Sequence, residues 1–108
     1  MFRIPTLLLL IVLFTSVAAQ DTEYKTLSNI PYYPEEVRSQ DNYISERCML
    51  DIYYPVNKKD FTTIVWFHGG GLTGGNKELP DALENKGLCI VGVNYRLAPG
   101  VKAPAYIE

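Results

Sequence analysis

Two apolar runs in the second half of the chain lack the polar alternation of a half-exposed strand. They cover residues 64–67 (Ile-Val-Trp-Phe) and residues 88–93 (Leu-Cys-Ile-Val-Gly-Val). Runs of β-branched and aromatic residues without alternation are typical of strands that are buried on both faces of a parallel sheet. We therefore expect both runs to be buried strands that lie parallel to each other, the first of them central in the sheet.

The segment between these runs predicts a short crossover helix over residues 80–86. Pro80 suits the first turn of a helix, Asp81 favours its positive end, and Gly87 stands just past the last turn. A strand, a helix and a second parallel strand form a right-handed crossover in nearly all known sheets. The pattern therefore indicates an α/β fold.

The segments on either side of this unit complete the predicted organisation. Residues 42–55 predict a strand with a mixed outer face, near a sheet edge, that ends at Pro55. Residues 20–41 are polar and form an N-terminal arm that leads into a first strand or hairpin. Residues 94–100 leave the sheet at the same end as the loop after the first apolar run, and Pro104 begins a second helix.

Residues 1–19 have the features of a secretory signal peptide. Arg3 is followed by an apolar core over residues 7–14, and small residues at 17–19 precede a cleavage point before Gln20. The apolar run is shorter than the ~20 residues that a membrane-spanning helix needs. We therefore expect a secreted or periplasmic protein that keeps no membrane segment after cleavage.

Charge and cysteine content narrow the possible partners. The formal net charge is −2, without the basic surface that binding to nucleic acid or an anionic membrane requires. Cys48 and Cys89 lie in apolar strand patterns and are expected as buried free thiols, although an export compartment would permit a disulfide between them. No Cys or His cluster predicts a metal, and no cofactor is expected.

The loop after the first apolar run contains five glycines within the seven residues 69–75. Gly69, Gly71 and Gly74 match the spacing of a dinucleotide-binding loop, but Asn94 stands where that loop needs an acidic ribose ligand. A nucleotide triphosphate loop fits less well, because Lys77 is displaced by one position and no hydroxyl residue follows it.

An oxyanion hole fits the loop better. Acyl-transfer enzymes aim N–H donors at the oxygen that becomes negative, and each donor contributes about 2.7–4 kcal/mol to transition-state stabilisation. Consecutive glycines allow a loop to point successive N–H groups at one oxygen. A His-Gly-Gly-Gly run after a strand, which the chain has at residues 68–71, is the element that lipases and esterases use for this purpose.

Three motifs together resemble the α/β-hydrolase carboxylesterases, especially the hormone-sensitive-lipase-like and bacterial feruloyl-esterase-like groups. They are Leu-Asp-Ile-Tyr-Tyr-Pro at residues 50–55, Val-Trp-Phe-His-Gly-Gly-Gly at residues 65–71 and Val-Asn-Tyr-Arg-Leu-Ala-Pro at residues 93–99. The resemblance implies a mostly parallel, doubly wound sheet, of which residues 42–108 are the N-terminal and incomplete portion. It also implies an esterase acting on small-molecule esters with short acyl or aryl groups.

The resemblance also assigns roles within the loop. It implies that Gly70 and Gly71 donate to the oxyanion, that Gly69 makes the turn, and that His68 braces the loop through its ring. Leu72 stands where such enzymes often have an aromatic residue. Tyr95 and Arg96 are expected to pack and anchor the neighbouring loop rather than to take part in catalysis, because no substrate charge is implied.

The catalytic triad is absent from the sequence. Its serine would lie on a Gly-x-Ser-x-Gly turn after a later strand, and no such turn occurs here. His68 precedes any such serine, so it is not the catalytic base. We therefore predict that the chain is the oxyanion-hole portion of a secreted serine esterase and that these 108 residues are inactive by themselves. The alternative is a non-catalytic binding protein with the same fold. Substrate identity and oligomeric state stay open.

Overall fold

The computed structural model describes residues 21–106, which form one four-stranded sheet. The predicted signal peptide and residues 107–108 lie outside this range. The elements are β1 (Tyr24–Pro31), α1 (Glu35–Arg38), α2 (Asn42–Arg47), β2 (Met49–Pro55), β3 (Thr63–Phe67) and β4 (Cys89–Val93). The strands lie in the order β1-β2-β4-β3, and the short helices α1 and α2 precede β2.

The sheet is mixed, and its parallel part is the predicted crossover unit. β3 pairs with β4 in parallel, from Thr63 opposite Cys89 to Phe67 opposite Val93. β2 pairs antiparallel with both β1 and β4. The prediction of two parallel strands is confirmed, and the loops that follow β3 and β4 leave the sheet at the same edge. Strand β1 lies within the segment that was predicted as an arm.

The prediction that β3 is buried on both faces is wrong for the described residues. β3 is the edge strand of the sheet, and Val65 and Phe67 are 51% and 63% exposed. An apolar run indicates that its side chains favour burial, but whether they are buried depends on the elements that pack against them. Within residues 21–106, β4 is the only strand that pairs with β3.

Residues 42–47 are helical, so the predicted strand begins later than expected. The Asp41 carboxylate accepts hydrogen bonds from the backbone N–H groups of Tyr43 and Ile44, at 2.9 and 3.3 Å. Such an N-cap satisfies donors that the first helical turn leaves unpaired, which stabilises a helix here. The apolar alternation therefore becomes strand β2 only from Met49 onward, and β2 lies one strand in from the edge.

The predicted helix over residues 80–86 is only a 3-10 turn at Asp81–Leu83. The chain is extended again at Glu84, with ψ of 156°, and Asn85 has a left-handed φ of 58°. These two residues cannot continue a right-handed helix. Pro80 and Asp81 are thus compatible with a single 3-10 turn, but the residues after it do not extend the turn into a helix.

The connection over residues 77–87 nevertheless covers one face of the sheet. The Glu78 backbone lies so close to Gly92 that a Cβ atom at position 92 would collide with it. The Glu78 carboxylate also accepts a hydrogen bond from the Trp66 indole N–H at 3.0 Å. On the same face, Lys77 forms a half-buried ion pair of 3.0 Å with Asp51. We call this the covered face; it also carries Tyr53, Ile64 and Ile90.

The opposite face of the same strands is the open face. Residues paired across neighbouring strands lie on one face, and side chains alternate along each strand. The register therefore places on the open face Leu27, Leu50, Ile52, Val65, Phe67, Val91 and Val93. Cys48 and Cys89 are both buried and free, as expected for small apolar side chains.

Candidate functional site

The glycine loop, residues 68–76, follows β3 directly and lies against the β4 loop, residues 94–100. The Tyr95 hydroxyl donates to the His68 carbonyl at 2.7 Å, and the two rings stack with their centroids 4.5 Å apart. Farther along, the Ala98 N–H donates to the Leu72 carbonyl at 2.8 Å. The two loops that the sequence placed at one sheet edge are therefore tied together at two points.

Two glycines in this loop are required by close approach of the backbone. Gly70 has a φ of 134°, and a Cβ there would collide with the Gly74 carbonyl. Gly75 has a φ of 98°, and a Cβ there would strike the His68 ring and the Gly69 carbonyl. Gly71 has a φ of 64° but open space around it, so only its backbone conformation favours glycine.

The N–H groups of Gly70 and Gly71 have no acceptor within residues 21–106. Both residues are exposed, and the Gly70 carbonyl is already occupied by the Thr73 N–H and hydroxyl, each at 3.2 Å. An exposed N–H pair without an internal acceptor is able to donate to a bound oxygen.

His68 is 5% exposed and lies at the base of the loop. Its Nδ1 lies 2.8 Å from the Gly69 carbonyl, and its Nε2 lies 3.5 Å from the Arg47 guanidinium. A carbonyl can only accept and a guanidinium can only donate, so the ring carries its proton on Nδ1 and accepts at Nε2. In this position His68 bonds to the loop backbone on one side and to helix α2 on the other.

Arg47, the last residue of α2, contacts both ends of the glycine loop, and the sequence reasoning missed it. The Nη2 group donates to the Gly75 carbonyl at 3.1 Å, and Nη1 donates to the Asn76 side chain at 2.9 Å. Its Nε group donates to the Tyr95 carbonyl at 3.2 Å. No local signal marks this role, because every partner lies at least 21 residues away along the chain.

An apolar cavity of about 460 Å³ adjoins the glycine loop at one end of the open face. The Tyr32 hydroxyl on its rim donates to the Asn94 carbonyl at 2.6 Å. Partial burial raises the pKa of this phenol, although 39% of the residue's surface stays exposed. The cavity therefore presents aromatic and aliphatic surface without charge. Its lining residues are Tyr32, Leu50, Phe67, Leu72, Val93, Tyr95 and Tyr106.

The structure disfavours dinucleotide binding by the glycine loop. Asn94 uses its side-chain oxygen to accept the Lys77 N–H at 2.6 Å, so it does not face a ribose. The 3-10 turn at Asp81–Leu83 is the only helical element described between β3 and β4, and it offers no helix N-terminus to a phosphate.

Arg96 donates to the Ala105 carbonyl at 3.0 Å and thus anchors the chain beyond the β4 loop.

The described residues contain no group of three or more side chains that could hold a metal ion. No helix within residues 21–106 is long and apolar enough to cross a membrane. The site therefore consists of N–H donors, a brace of buried polar side chains and an apolar cavity.

Residues 50–108 match the protein family described as BD-FAE. The chain is also 32% identical over 78 residues to acetylcholinesterase 4 of Caenorhabditis briggsae, an alignment covering 66% of this chain and 13% of that protein.

Two solved esterase structures are similar in fold. A truncated carbohydrate esterase from gut microbiota aligns over 82% of this chain and 31% of its own, with a TM-score of 0.50 and 22% identity. A bacterial heroin esterase aligns over 85% of this chain and 28% of its own, with a TM-score of 0.47 and 20% identity. The chain thus spans less than a third of the length of each of these three proteins.

Proposed function

This chain belongs to the BD-FAE family of α/β-hydrolase esterases, and from that premise we propose that it carries the oxyanion-hole portion of a secreted serine esterase. The observation that carries the proposal is the exposed pair of N–H groups at Gly70 and Gly71, which donate to nothing within residues 21–106. These groups lie in a loop whose backbone accepts hydrogen bonds from the Tyr95 hydroxyl, at the His68 carbonyl, and from Arg47, at the Gly75 carbonyl.

In this function the ester carbonyl oxygen binds beside the two N–H groups. When a nucleophile attacks the carbonyl carbon, the oxygen becomes negative and its hydrogen bonds to Gly70 and Gly71 strengthen. Each such donor contributes about 2.7–4 kcal/mol to the stabilisation of the transition state. Gly69 makes the turn into the donor pair, and His68 supports the loop without exchanging a proton with the substrate.

The cavity supports a small, uncharged substrate. Its apolar lining accommodates a short acyl or aryl group while the ester carbonyl reaches the glycine loop. The formal net charge of −2 provides no attraction for nucleic acid or an anionic membrane surface.

The nucleophile of the proposed enzyme lies outside these 108 residues. The matched relatives are more than three times as long as the aligned part, so a longer protein has room for the triad. We expect an in-frame Gly-x-Ser-x-Gly turn roughly 40–90 codons beyond Glu108, followed by an acid and then a histidine. Export would proceed through residues 1–19.

The test begins with the transcript beyond the codon for Glu108 and continues with the full-length protein. We expect hydrolysis of p-nitrophenyl acetate and covalent labelling by a fluorophosphonate probe. Gly70→Ala should lower kcat by at least ~100-fold, because its Cβ meets the Gly74 carbonyl and displaces a donor. Gly71→Ala, which meets no neighbouring atom, should cost less.

Two results would count against the proposal. A stop codon directly after Glu108 would leave the chain without a nucleophile. A folded full-length protein that neither hydrolyses esters nor reacts with the probe would instead favour a non-catalytic binding protein on the same fold.

A further inference from the structure

We propose that Arg47 is a positioning residue that fixes the geometry of the Gly70 and Gly71 donors. This inference rests on the proposed esterase function and adds to it a residue from outside the glycine motif. Arg47 comes from the short helix before β2, yet its guanidinium is the point at which the two ends of the glycine loop and the β4 loop meet.

The contacts of Arg47 are arranged as a fork. One edge of the guanidinium donates to the Tyr95 carbonyl at 3.2 Å. The other edge donates to the Gly75 carbonyl at 3.1 Å and to the Asn76 side chain at 2.9 Å, while Nη2 faces the His68 ring at 3.5 Å. A planar group with five fixed donors can hold these partners at once, and a lysine ammonium cannot.

The donor pair needs such a clamp because it makes no internal hydrogen bond of its own. Gly70 and Gly71 lie between His68 and Gly75, and both of those residues contact Arg47. Glycine-rich segments have large conformational freedom, so the position of the middle of the loop depends on how firmly its ends are fixed. Donors in an active site must be held within about 0.5 Å of their productive position.

Loss of the clamp should therefore affect the transition state more than substrate binding. Arg47 contacts the Tyr95 backbone and does not line the apolar cavity. A misplacement of about 1 Å can lower the rate ~100-fold. For Arg47→Met in the full-length protein we expect kcat to fall about 10–100-fold while KM changes less than about threefold.

The chain offers a matched control in Arg38 of helix α1. Arg38 also donates through Nε to a backbone carbonyl, that of Tyr33 at 3.1 Å, and it pairs with Glu35, but none of its hydrogen bonds reaches the glycine loop. Arg38→Met should leave kcat and KM within about twofold of the wild type, as expected for a surface substitution.

The experiment compares wild type, Arg47→Met, Arg47→Lys and Arg38→Met as full-length proteins. It measures kcat and KM for p-nitrophenyl acetate and the inhibition constant of a trifluoromethyl ketone, which forms an oxyanion on attack by serine. In Arg47→Met this inhibition constant should rise in step with the fall in kcat. Arg47→Lys should resemble Arg47→Met, because a lysine ammonium cannot hold the same partners at once.

Several outcomes separate this inference from the proposed function. Wild-type kcat in Arg47→Met, a loss confined to KM, or equal losses in Arg47→Met and Arg38→Met would overturn the clamp while leaving the esterase intact. If Arg47→Met does not fold, Arg47→Lys decides, because it keeps the charge but not the fork, and wild-type kcat in it would refute the proposal. A wild type without esterase activity would reject both proposals.

Discussion

The two faces of the sheet are built from the same strands but differ in what covers them. On the covered face, Ile90 is fully buried and Tyr53 is 8% exposed, because the connection over residues 77–87 lies against them. On the open face, Val65 and Phe67 are more than half exposed. The contrast is sharpest on the edge strand β3, because Val93 of the inner strand β4 is only 8% exposed although it also lies on the open face. Burial of a residue therefore depends both on the connection that covers its face and on the position of its strand in the sheet.

This contrast also locates the candidate site. The donors, the His68 brace and the apolar cavity lie where the carboxyl ends of β3 and β4 meet. The cavity continues from there onto the open face. The covered face contributes no lining residue to that cavity, and its polar contacts fix the connection instead. The covered face thus stabilises the unit, and one end of the open face carries the apolar cavity of the candidate site.

Removal of a core side chain should have the largest effect on stability. Ile90→Ala empties a fully buried position and should lower the free energy of unfolding by about 2–5 kcal/mol. Val65→Ala, on the 51% exposed open face, should cost about 0.5 kcal/mol or less. Urea unfolding of the 108-residue chain, followed through the fluorescence of Trp66, measures both. Equal losses at the two positions would show that the faces are equally buried.

A side chain added to the covered face should have a smaller effect. Gly92→Ala places a Cβ against the Glu78 backbone, which must shift, and should lower the free energy of unfolding by about 1–3 kcal/mol. Faster amide hydrogen exchange over residues 77–87 should accompany the loss. An unchanged exchange rate there would mean that the connection does not rest on β4.

The smallest effect should come from alkaline pH at the cavity rim. The pKa of Tyr32 is raised above its ordinary value of 10.0, chiefly by burial and further by a hydrogen bond with Cys48. The unfolded chain therefore releases this proton first, so the contribution of Tyr32 is intact below pH 10.0 and declines as the pH rises beyond it.

Tyr32→Phe tests this sign directly. In urea unfolding between about pH 9 and 11, the variant should lose stability less steeply than the wild type, because the titrating group is gone. Identical slopes for the two proteins would contradict a phenol that is kept neutral by the fold.

Local pattern and motif spacing predicted much of this arrangement. The two parallel strands, the shared edge of the two loops and the esterase family all follow from short segments that carry their own signals. Burial of β3 did not follow, because it depends on elements that pack against Val65 and Phe67. Helix α2 was missed since its determinant is a single capping carboxylate at Asp41. Arg47 was missed because its contacts arise only when distant segments meet.

The order of elements along the chain also sets the order in which the site can form. The glycine loop is synthesised before β4, yet two of the residues that hold it, Tyr95 and Ala98, come after β4. β3 itself has no described partner until Cys89 and its neighbours pair with it. The contacts of the glycine loop with Tyr95 and Ala98 therefore cannot form until the chain has been synthesised through Ala98, whereas Arg47 is available as soon as the loop itself is complete. Docking of β4 thus adds the last of the contacts that hold the loop of the donor pair.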